Sequence, residues 1–288
     1  MKPVDHIEPT TATQSPNFGV LDWIRIITRG GLVILLLAFS FSLLLLIRLI
    51  ERPCFGLQRP LTPYITQFVC RNTLRVFGIG HEVHGVLMKH HGAVVANHVS
   101  WLDILALNAS KRIYFVSKSE VAKWPGIGWL AQGTGTLFVD RERGKALEHT
   151  ALVESRLKAG HKLLFFPEGT STDGLTVTRF KSTLFEAFMS EQSRDSLYIQ
   201  PVVIIYLGPD QTLSQFYSWW GEMEFAEHLL RILAAKAQGT VRIKYLPPVR
   251  TSDFADRKSL AYLLETEIRS EYYSQMQSDS DRPNVANS

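Results

Sequence analysis

The hydrophobic positions divide the chain into an apolar N-terminal part and a longer part in which short apolar runs alternate with amphipathic segments. The 17 residues from Gly31 to Ile47 carry no charge and are dominated by leucine. This length is at the short end of the roughly 17–25 residues that cross a bilayer as a helix. Acidic residues precede the segment and no small-residue cleavage site follows it, so a retained membrane anchor is favoured over a signal peptide. A helix buried in a protein core is the alternative.

A second helix is predicted where Thr62 and Pro63 supply an N-cap and a first helical residue. Apolar and polar positions then recur at helical spacing. The apolar positions are Tyr64, Ile65, Phe68, Val69, Val76 and Phe77, and the polar ones are Gln67, Arg71, Asn72 and Arg75. The pattern predicts an amphipathic helix that lies on a membrane surface, packs on the main domain, or does both.

From residue 81 onward, strand-like and helical segments alternate. Strands are predicted at His81–Val86, Ala93–Ala96, Ile113–Val116, Leu137–Val139, Leu163–Phe166, Val202–Leu207 and Val241–Leu246. Helices are predicted at residues 101–108, 145–159, 182–191, 224–237 and 257–273. This alternation predicts an α/β fold with a mainly parallel sheet flanked by helices. The predicted division is a flexible tail (1–20), a membrane anchor with the amphipathic helix (21–80), an α/β domain (81–275) and a disordered tail (276–288).

Composition narrows the range of functions. The net charge of +4 is modest and the basic residues are scattered, which argues against nucleic-acid binding. The two cysteines, Cys54 and Cys70, form no Cys-x-x-Cys pair, so neither a zinc site nor a redox motif is supported. The histidines between residues 81 and 91 are explained by strand alternation and a polar loop, and no metal site is expected.

The distribution of basic residues predicts the side of the membrane on which the main domain lies. Five arginines follow the apolar segment, namely Arg48, Arg52, Arg59, Arg71 and Arg75. The basic residues before it, Lys2, Arg25 and Arg29, are offset by three acidic residues. By the positive-inside rule the main domain faces the cytoplasm at the inner membrane, whether the anchor spans the bilayer or dips in and returns.

The segment Asn97-His98-Val99-Ser100-Trp101-Leu102-Asp103 lies between a predicted strand and a predicted helix. Ser100 is a suitable N-cap for that helix and places Asp103 at its third position. His98 then precedes the helix and folds back, so that the Asp103 carboxylate binds one imidazole nitrogen and leaves the other as a base. The alternative is a capping box made by Ser100 and Asp103 with His98 as a polar loop residue.

Other polar groups follow predicted strands. Glu168 and Gly169 come directly after the strand that ends at Phe166, where ligands bind in open α/β sheets. Arg141 follows the strand that ends at Val139, and its forked donor group suits a phosphate or carboxylate. Lys181 precedes a predicted helix whose N-terminus could help to hold an anion. For Glu168 and Gly169, the alternative is an ordinary exposed turn. For Arg141, the alternative is a surface ion pair with residue 140.

The aromatic segment from Trp124 to Trp129 has two interpretations. Exposed, it would suit a membrane-facing lip or an acyl-chain groove. The alternative is a turn that folds into the core.

Four of these stretches occur together and in a characteristic order. They are His98-x4-Asp103, Gly135-x2-Phe138-x-Asp140-Arg141, Phe166-Pro167-Glu168-Gly169-Thr170 and the strand segment at Pro201-Val202. In combination they resemble the four sequence blocks of the PlsC-type glycerolipid acyltransferase family, over residues 64 to 250. The resemblance implies an α/β domain on an N-terminal membrane-embedded helical motif.

The resemblance also implies roles for individual residues. His98 would be the general base that takes a proton from the acceptor hydroxyl, and Asp103 would orient it. The hydroxyl would attack the thioester of acyl-CoA or acyl carrier protein directly, because no Gly-x-Ser-x-Gly nucleophile elbow is present. Arg141, Glu168, Gly169, Thr170 and Lys181 would bind the acceptor lipid. No metal and no bound cofactor is implied.

One departure from the family pattern concerns the acceptor. Many members that use lysophosphatidate carry Arg after the Phe-Pro-Glu-Gly-Thr block, where this chain has Ser171. The continuation at residues 171–174 and Trp219-Trp220-Gly221 resembles the bacterial branch that O-acylates lyso-ornithine and related aminolipids. Both acceptors stay open, as do a lysolipid or thioester hydrolase with the same dyad and a non-catalytic membrane-tethered lipid-binding protein.

Overall fold

The computed structural model describes residues 17–140, 146–190 and 194–280. Its helices are α1 (Val20–Phe55), α2 (Thr62–Phe77), α3 (Leu102–Ser110), α4 (Ile127–Thr134), α5 (Ala146–Lys158), α6 (Phe225–Ala234) and α7 (Arg257–Ser280). Its strands are β1 (Gly80–His84), β2 (Gly92–Ala96), β3 (Tyr114–Lys118), β4 (Leu137–Val139), β5 (Leu163–Phe165), β6 (Tyr198–Leu207), β7 (Thr240–Tyr245) and β8 (Val249–Arg250). The predicted alternation of strands and helices is therefore confirmed.

The strands form one sheet in the order β1-β7-β6-β2-β5-β3-β4, and β8 pairs with β6. All pairs are parallel except β6 with β7 and β6 with β8, so the prediction of a mainly parallel sheet is confirmed. Strand β2 lies between β5 and β6, and all of its residues are buried. The carboxyl ends of these three strands therefore lie at one edge of the sheet, next to residue 98.

Alternate residues of the central strands enter cores on opposite faces of the sheet, as the period of two of a β-strand requires. Val94 packs on one face with α2, α3 and α6, whereas Val95 packs on the other face with α5 and α7. The result is a sheet between two helical layers.

Several boundaries differ from the prediction. Residues Ser182–Phe188 form 3-10 turns in place of the predicted α-helix, and their Phe185 and Phe188 side chains are buried. Strand β6 begins four residues earlier than predicted, with Pro201 inside it. Helix α7 continues to Ser280, so the disordered tail predicted from residue 276 is wrong for residues 276–280. Residues 281–288 and residues 1–16 of the predicted N-terminal tail lie outside the described part of the chain.

Helix α1 is 36 residues long and extends beyond the predicted segment at both ends. Near its start, Arg25 donates to the carbonyl oxygen of Ala234 at the end of α6, at 2.6 Å. Arg29 donates to the carbonyl oxygens of Leu233 and Ala235 there, at 2.8 and 2.7 Å. These bonds satisfy carbonyls that the end of α6 leaves unpaired, and they complement its dipole. The start of α1 is therefore fixed to the α/β domain.

The other end of α1 is fixed as well. The buried Glu51 carboxylate accepts hydrogen bonds from the amides of Leu61 and Thr62 and from the Thr62 hydroxyl, at 2.8, 3.2 and 2.8 Å. A side chain on Gly133 of α4 would collide with Phe41, so the two helices are closely packed midway along α1. Helix α1 thus lies along the domain from its start to its last turns.

Between these contacts the surface of α1 is apolar. Within the described ranges, α1 is the one helix long and apolar enough to cross a membrane by length and composition. Only 11% of its most apolar window is buried. Exposed apolar side chains include Leu32, Ile34, Leu35, Phe39, Leu46, Leu49 and Ile50. A surface of this size marks a contact with lipid or protein.

Gly92 is the first residue of β2, and its backbone lies against that of Tyr198 in β6 with a φ of 143°. A Cβ there would overlap the Tyr198 carbonyl oxygen. We expect Gly92→Ala to lower the free energy of unfolding by about 3 kcal/mol. Gly126→Ala is the control, because its φ is also positive but its Cβ would meet open space; it should cost about 1 kcal/mol. Chemical denaturation measures both, and equal losses would contradict this account.

Candidate active site

His98 lies directly beyond the carboxyl end of β2, and Asp103 lies in the first turn of α3. The imidazole Nδ1 and the Asp103 Oδ2 are 2.7 Å apart. Helix α3 begins at Leu102 with Trp101 in the cap position, one residue later than predicted, which makes Asp103 its second residue. Ser100 still accepts a bond from the Leu102 amide, at 3.4 Å. The predicted return of His98 toward Asp103 is thus present in the structure.

The Asp103 carboxylate is fully buried and is surrounded by donors. Oδ2 accepts from the backbone amides of Val99 and Ser100 at 2.8 and 3.1 Å. Oδ1 accepts from the Tyr206 hydroxyl at 2.8 Å. These donors stabilise the ionised carboxylate, which has no proton to give to His98. The imidazole Nδ1 is therefore the donor in the pair, and Nε2 is left as the basic nitrogen.

The loop that carries His98 is fixed by side-chain bonds to the neighbouring strands. Asn97 exchanges two hydrogen bonds with the backbone of Ile204 in β6, at 2.9 and 2.8 Å. The imidazole stacks on the Phe166 ring, with centroids 3.9 Å apart and an interplanar angle of 9°. The His98 side chain nevertheless stays 19% exposed. Its orientation is fixed while part of the ring faces solvent.

Glu168 follows β5 and is only 2% exposed. Oε1 accepts from the His98 amide at 2.7 Å, and Oε2 accepts from the amide and hydroxyl of Thr178 at 2.7 and 2.6 Å. Burial raises the pKa of the Glu168 carboxyl, and these hydrogen bonds act in the opposite direction. Both oxygens thus hold protein segments together around His98. A contact between Glu168 and the acceptor stays a prediction.

Of the other predicted binding residues, Gly169, Thr170 and Lys181 lie close to one another. Gly169 forms the turn after Glu168 with a φ of 75°, and a Cβ there would lie 2.6 Å from the Lys181 Nζ. The Lys181 amine therefore lies beside this turn, and the Lys181 amide donates to the Pro167 carbonyl oxygen at 2.8 Å. The Thr170 side chain is exposed next to them. Arg141 lies outside the described residues, which end at Asp140 on that side of the gap.

An aromatic loop borders the site on another side. The Trp219 amide donates to the Val99 carbonyl oxygen at 2.9 Å, and the Trp219 ring meets the Trp124 ring edge-on at 6.3 Å. Trp124 is 39% exposed and Trp129 is 70% exposed. The interpretation of this segment as an exposed lip thus agrees with the structure better than a turn folded into the core.

Sequence reasoning missed two residues of this site. Tyr206 lies in the predicted strand Val202–Leu207 without an assigned role, although it is the second-last residue of β6, the strand next to that of His98. Phe166 was assigned only to the start of a motif. The position of Tyr206 at the carboxyl end of a strand was an available signal, but the pairing of β6 with β2 was needed to use it.

The fold and the buried His–Asp pair define a class, the α/β acyltransferases. A family model described as "Acyltransferase" matches residues 80–205, which include His98, Asp103 and Glu168. The chain is also similar in fold to the crystal structure of the 1-acyl-sn-glycerophosphate acyltransferase PlsC from Thermotoga maritima. The TM-score is 0.58 at 18% identity, over 88% of this chain and 99% of that one.

Curated relatives define the family more narrowly. The lyso-ornithine lipid O-acyltransferase of Rhodobacter capsulatus is 50% identical over 246 residues, 85% of this chain and 89% of that protein. The 1-acyl-sn-glycerol-3-phosphate acyltransferase of Neisseria meningitidis is 30% identical, over 69% of this chain and 77% of that protein. The chain therefore belongs to the family of lyso-ornithine lipid and 1-acyl-sn-glycerol-3-phosphate O-acyltransferases.

The Tyr206 hydroxyl should position the dyad. In Tyr206→Phe, the buried Asp103 carboxylate loses one donor, a bond worth about 2 kcal/mol when the acceptor is charged. We expect kcat to fall about tenfold, which is 1.4 kcal/mol, while KM changes less than twofold. Tyr245→Phe is the control, because its buried hydroxyl bonds Ser110 at 2.7 Å, away from Asp103. Equal effects of the two substitutions on kcat would refute this role.

Proposed function

We propose that this chain is a membrane-bound enzyme that transfers a fatty acyl group from acyl-CoA or acyl carrier protein to the free hydroxyl of lyso-ornithine lipid. The observation that carries the proposal is the His98–Asp103 pair, in which Nδ1 is held by a buried carboxylate and Nε2 is left to act on a substrate. The similarity to a lyso-ornithine lipid O-acyltransferase at 50% identity supports this acceptor.

In the proposed reaction, the His98 Nε2 takes the proton of the acceptor hydroxyl as its oxygen attacks the thioester carbonyl carbon. A tetrahedral oxyanion forms, and its collapse breaks the carbon–sulfur bond. The imidazolium then gives its proton to the departing thiolate, so the ester and the free thiol are the products. Between these two proton transfers, Asp103 stabilises the imidazolium without taking up its proton. The reaction uses no metal and no bound cofactor.

The acceptor head group is proposed to lie near Gly169, Thr170 and Lys181. The Lys181 ammonium suits an anionic group, which is the carboxylate in an ornithine head group and the phosphate in lysophosphatidate. Ser171 supports the ornithine head group, because an Arg at that position would add a forked contact that matches a phosphate. Arg141, the remaining predicted contact, would add a second cation.

Membrane binding is proposed to occur through α1 in the plane of one leaflet. Arg29 and Glu51 are 22 residues apart, which is about 33 Å of helix. Both residues bind the rest of the protein, so the segment between them cannot cross a hydrocarbon layer roughly 30 Å thick and leave the domain on one side. The exposed apolar side of α1 would instead enter the leaflet. The arginine distribution supports the cytoplasmic face of the inner membrane.

Replacement of the proposed base tests the mechanism. We expect His98→Ala to lower the rate of acyl transfer about 10³-fold, since general-base catalysis contributes roughly 10²–10⁴. Its partition into membranes and its circular dichroism spectrum should match the wild type. His84→Ala is the control, because His84 is exposed on β1. Near-normal turnover by His98→Ala would contradict the mechanism. Thioester consumption by the wild type without a two-chain product would indicate a hydrolase.

An acceptor competition tests the substrate. The membrane-bound enzyme receives one labelled acyl thioester with lyso-ornithine lipid or 1-acyl-sn-glycerol-3-phosphate, and the two-chain products are quantified. We expect transfer mainly to lyso-ornithine lipid, and a shift toward the phosphate acceptor in Ser171→Arg, whose side chain adds a phosphate contact. Ser171→Ala should leave the preference unchanged. Transfer by the wild type mainly to the phosphate acceptor would overturn the assignment.

A further inference from the structure

A second concave site lies outside the catalytic centre. It is a groove of about 800 Å³ between α1, the loop that follows α1, and α4. Leucines of α1, among them Leu45 and Leu49, line its length, and Arg48, Arg52 and Arg59 line it as well. None of the residues that surround His98 is part of this lining. We call it the α1–α4 groove.

The positive charge of the groove is only partly balanced. Arg48 pairs with Glu51 at 2.9 Å, and Arg59 donates to the Gly133 carbonyl oxygen at 2.7 Å. Arg52 is exposed and has no side-chain partner in the described ranges. Glu51 is thus one carboxylate among three arginines, and most guanidinium donors of Arg52 and Arg59 are unused.

A fourth arginine lies behind this group. The buried Arg156 donates to the Gly135 carbonyl oxygen at the end of α4, beside Arg59. Burial, together with the charges of Arg48 and Arg156, lowers the pKa of Arg59 to about 10. An anion in the groove would reduce this repulsion, because charges interact strongly where water is partly excluded.

We propose that the α1–α4 groove binds one molecule of an anionic phospholipid from the surrounding leaflet. An acyl chain would lie along the leucines of α1, and the phosphate would accept hydrogen bonds from Arg52 and Arg59. Forked guanidinium groups match phosphate oxygens, which accounts for arginine at these positions. The leucines and the apolar side of α1 favour a lipid over free phosphate, because a free anion would leave the apolar lining uncovered.

The test uses the full-length protein in nanodiscs with equal amounts of phosphatidylglycerol and phosphatidylcholine. Native mass spectrometry then measures the lipids that the released protein retains. We expect the wild type to retain one phosphatidylglycerol in preference to phosphatidylcholine. Arg52→Gln should lower this retention about fivefold, the effect of one arginine at a lipid head group. Ser42→Trp should lower it at unchanged charge, since Ser42 also lines the groove.

Arg75→Gln is the matched control. It removes the same charge from an exposed position on α2, 13 residues and about 20 Å of helix beyond Thr62. Retention of phosphatidylglycerol should stay at the wild-type level in this variant. Equal retention of both lipids by the wild type would overturn the proposal. Equal losses in Arg52→Gln and Arg75→Gln would also overturn it, because they would indicate attraction to the membrane surface in general. Neither outcome depends on acyl transfer.

Discussion

The buried carboxylate of Asp103 is the group on which the site depends. A charge in a protein interior is stable only when donors surround it, and here they are two amides of the His98 loop, the His98 ring and the Tyr206 hydroxyl. One carboxylate therefore joins the end of β2, the start of α3 and the end of β6. The same bonds that make its burial possible also determine the direction in which the imidazole points.

Glu168 repeats this arrangement one strand away. Its two oxygens join the His98 amide to the segment at Thr178, so a second buried carboxylate fixes the backbone beside the dyad. The site is thus built from loops at the carboxyl ends of adjacent parallel strands, each held by a buried acid. Such loops need this support because they lack the backbone pairing of the strands before them.

The sequence was sufficient to predict the parallel α/β architecture, the position of His98 between β2 and α3, and its pairing with Asp103. These features follow from local patterns: an apolar run of strand length and a five-residue spacing. Tyr206 and the stacking of Phe166 could not be predicted in this way, because they depend on which strands are neighbours in the sheet. The four residues Tyr198–Pro201 extend β6 beyond its predicted start at Val202, and they include a proline, which is rare inside strands. The start of α1 was not predicted, because Arg25 and Arg29 interrupt the apolar pattern there. Their bonds to the end of α6 are tertiary contacts, which the local sequence does not indicate.

The central claim is that Asp103 fixes the neutral His98 ring with its proton on Nδ1, so that Nε2 is the base. Nitrogen-15 NMR of the histidine-labelled enzyme measures this tautomer directly, with the His98 signals identified by their absence in His98→Ala. At a pH where the ring is neutral, the account predicts a protonated Nδ1 and an unprotonated Nε2. A proton on Nε2 in the folded enzyme would contradict it.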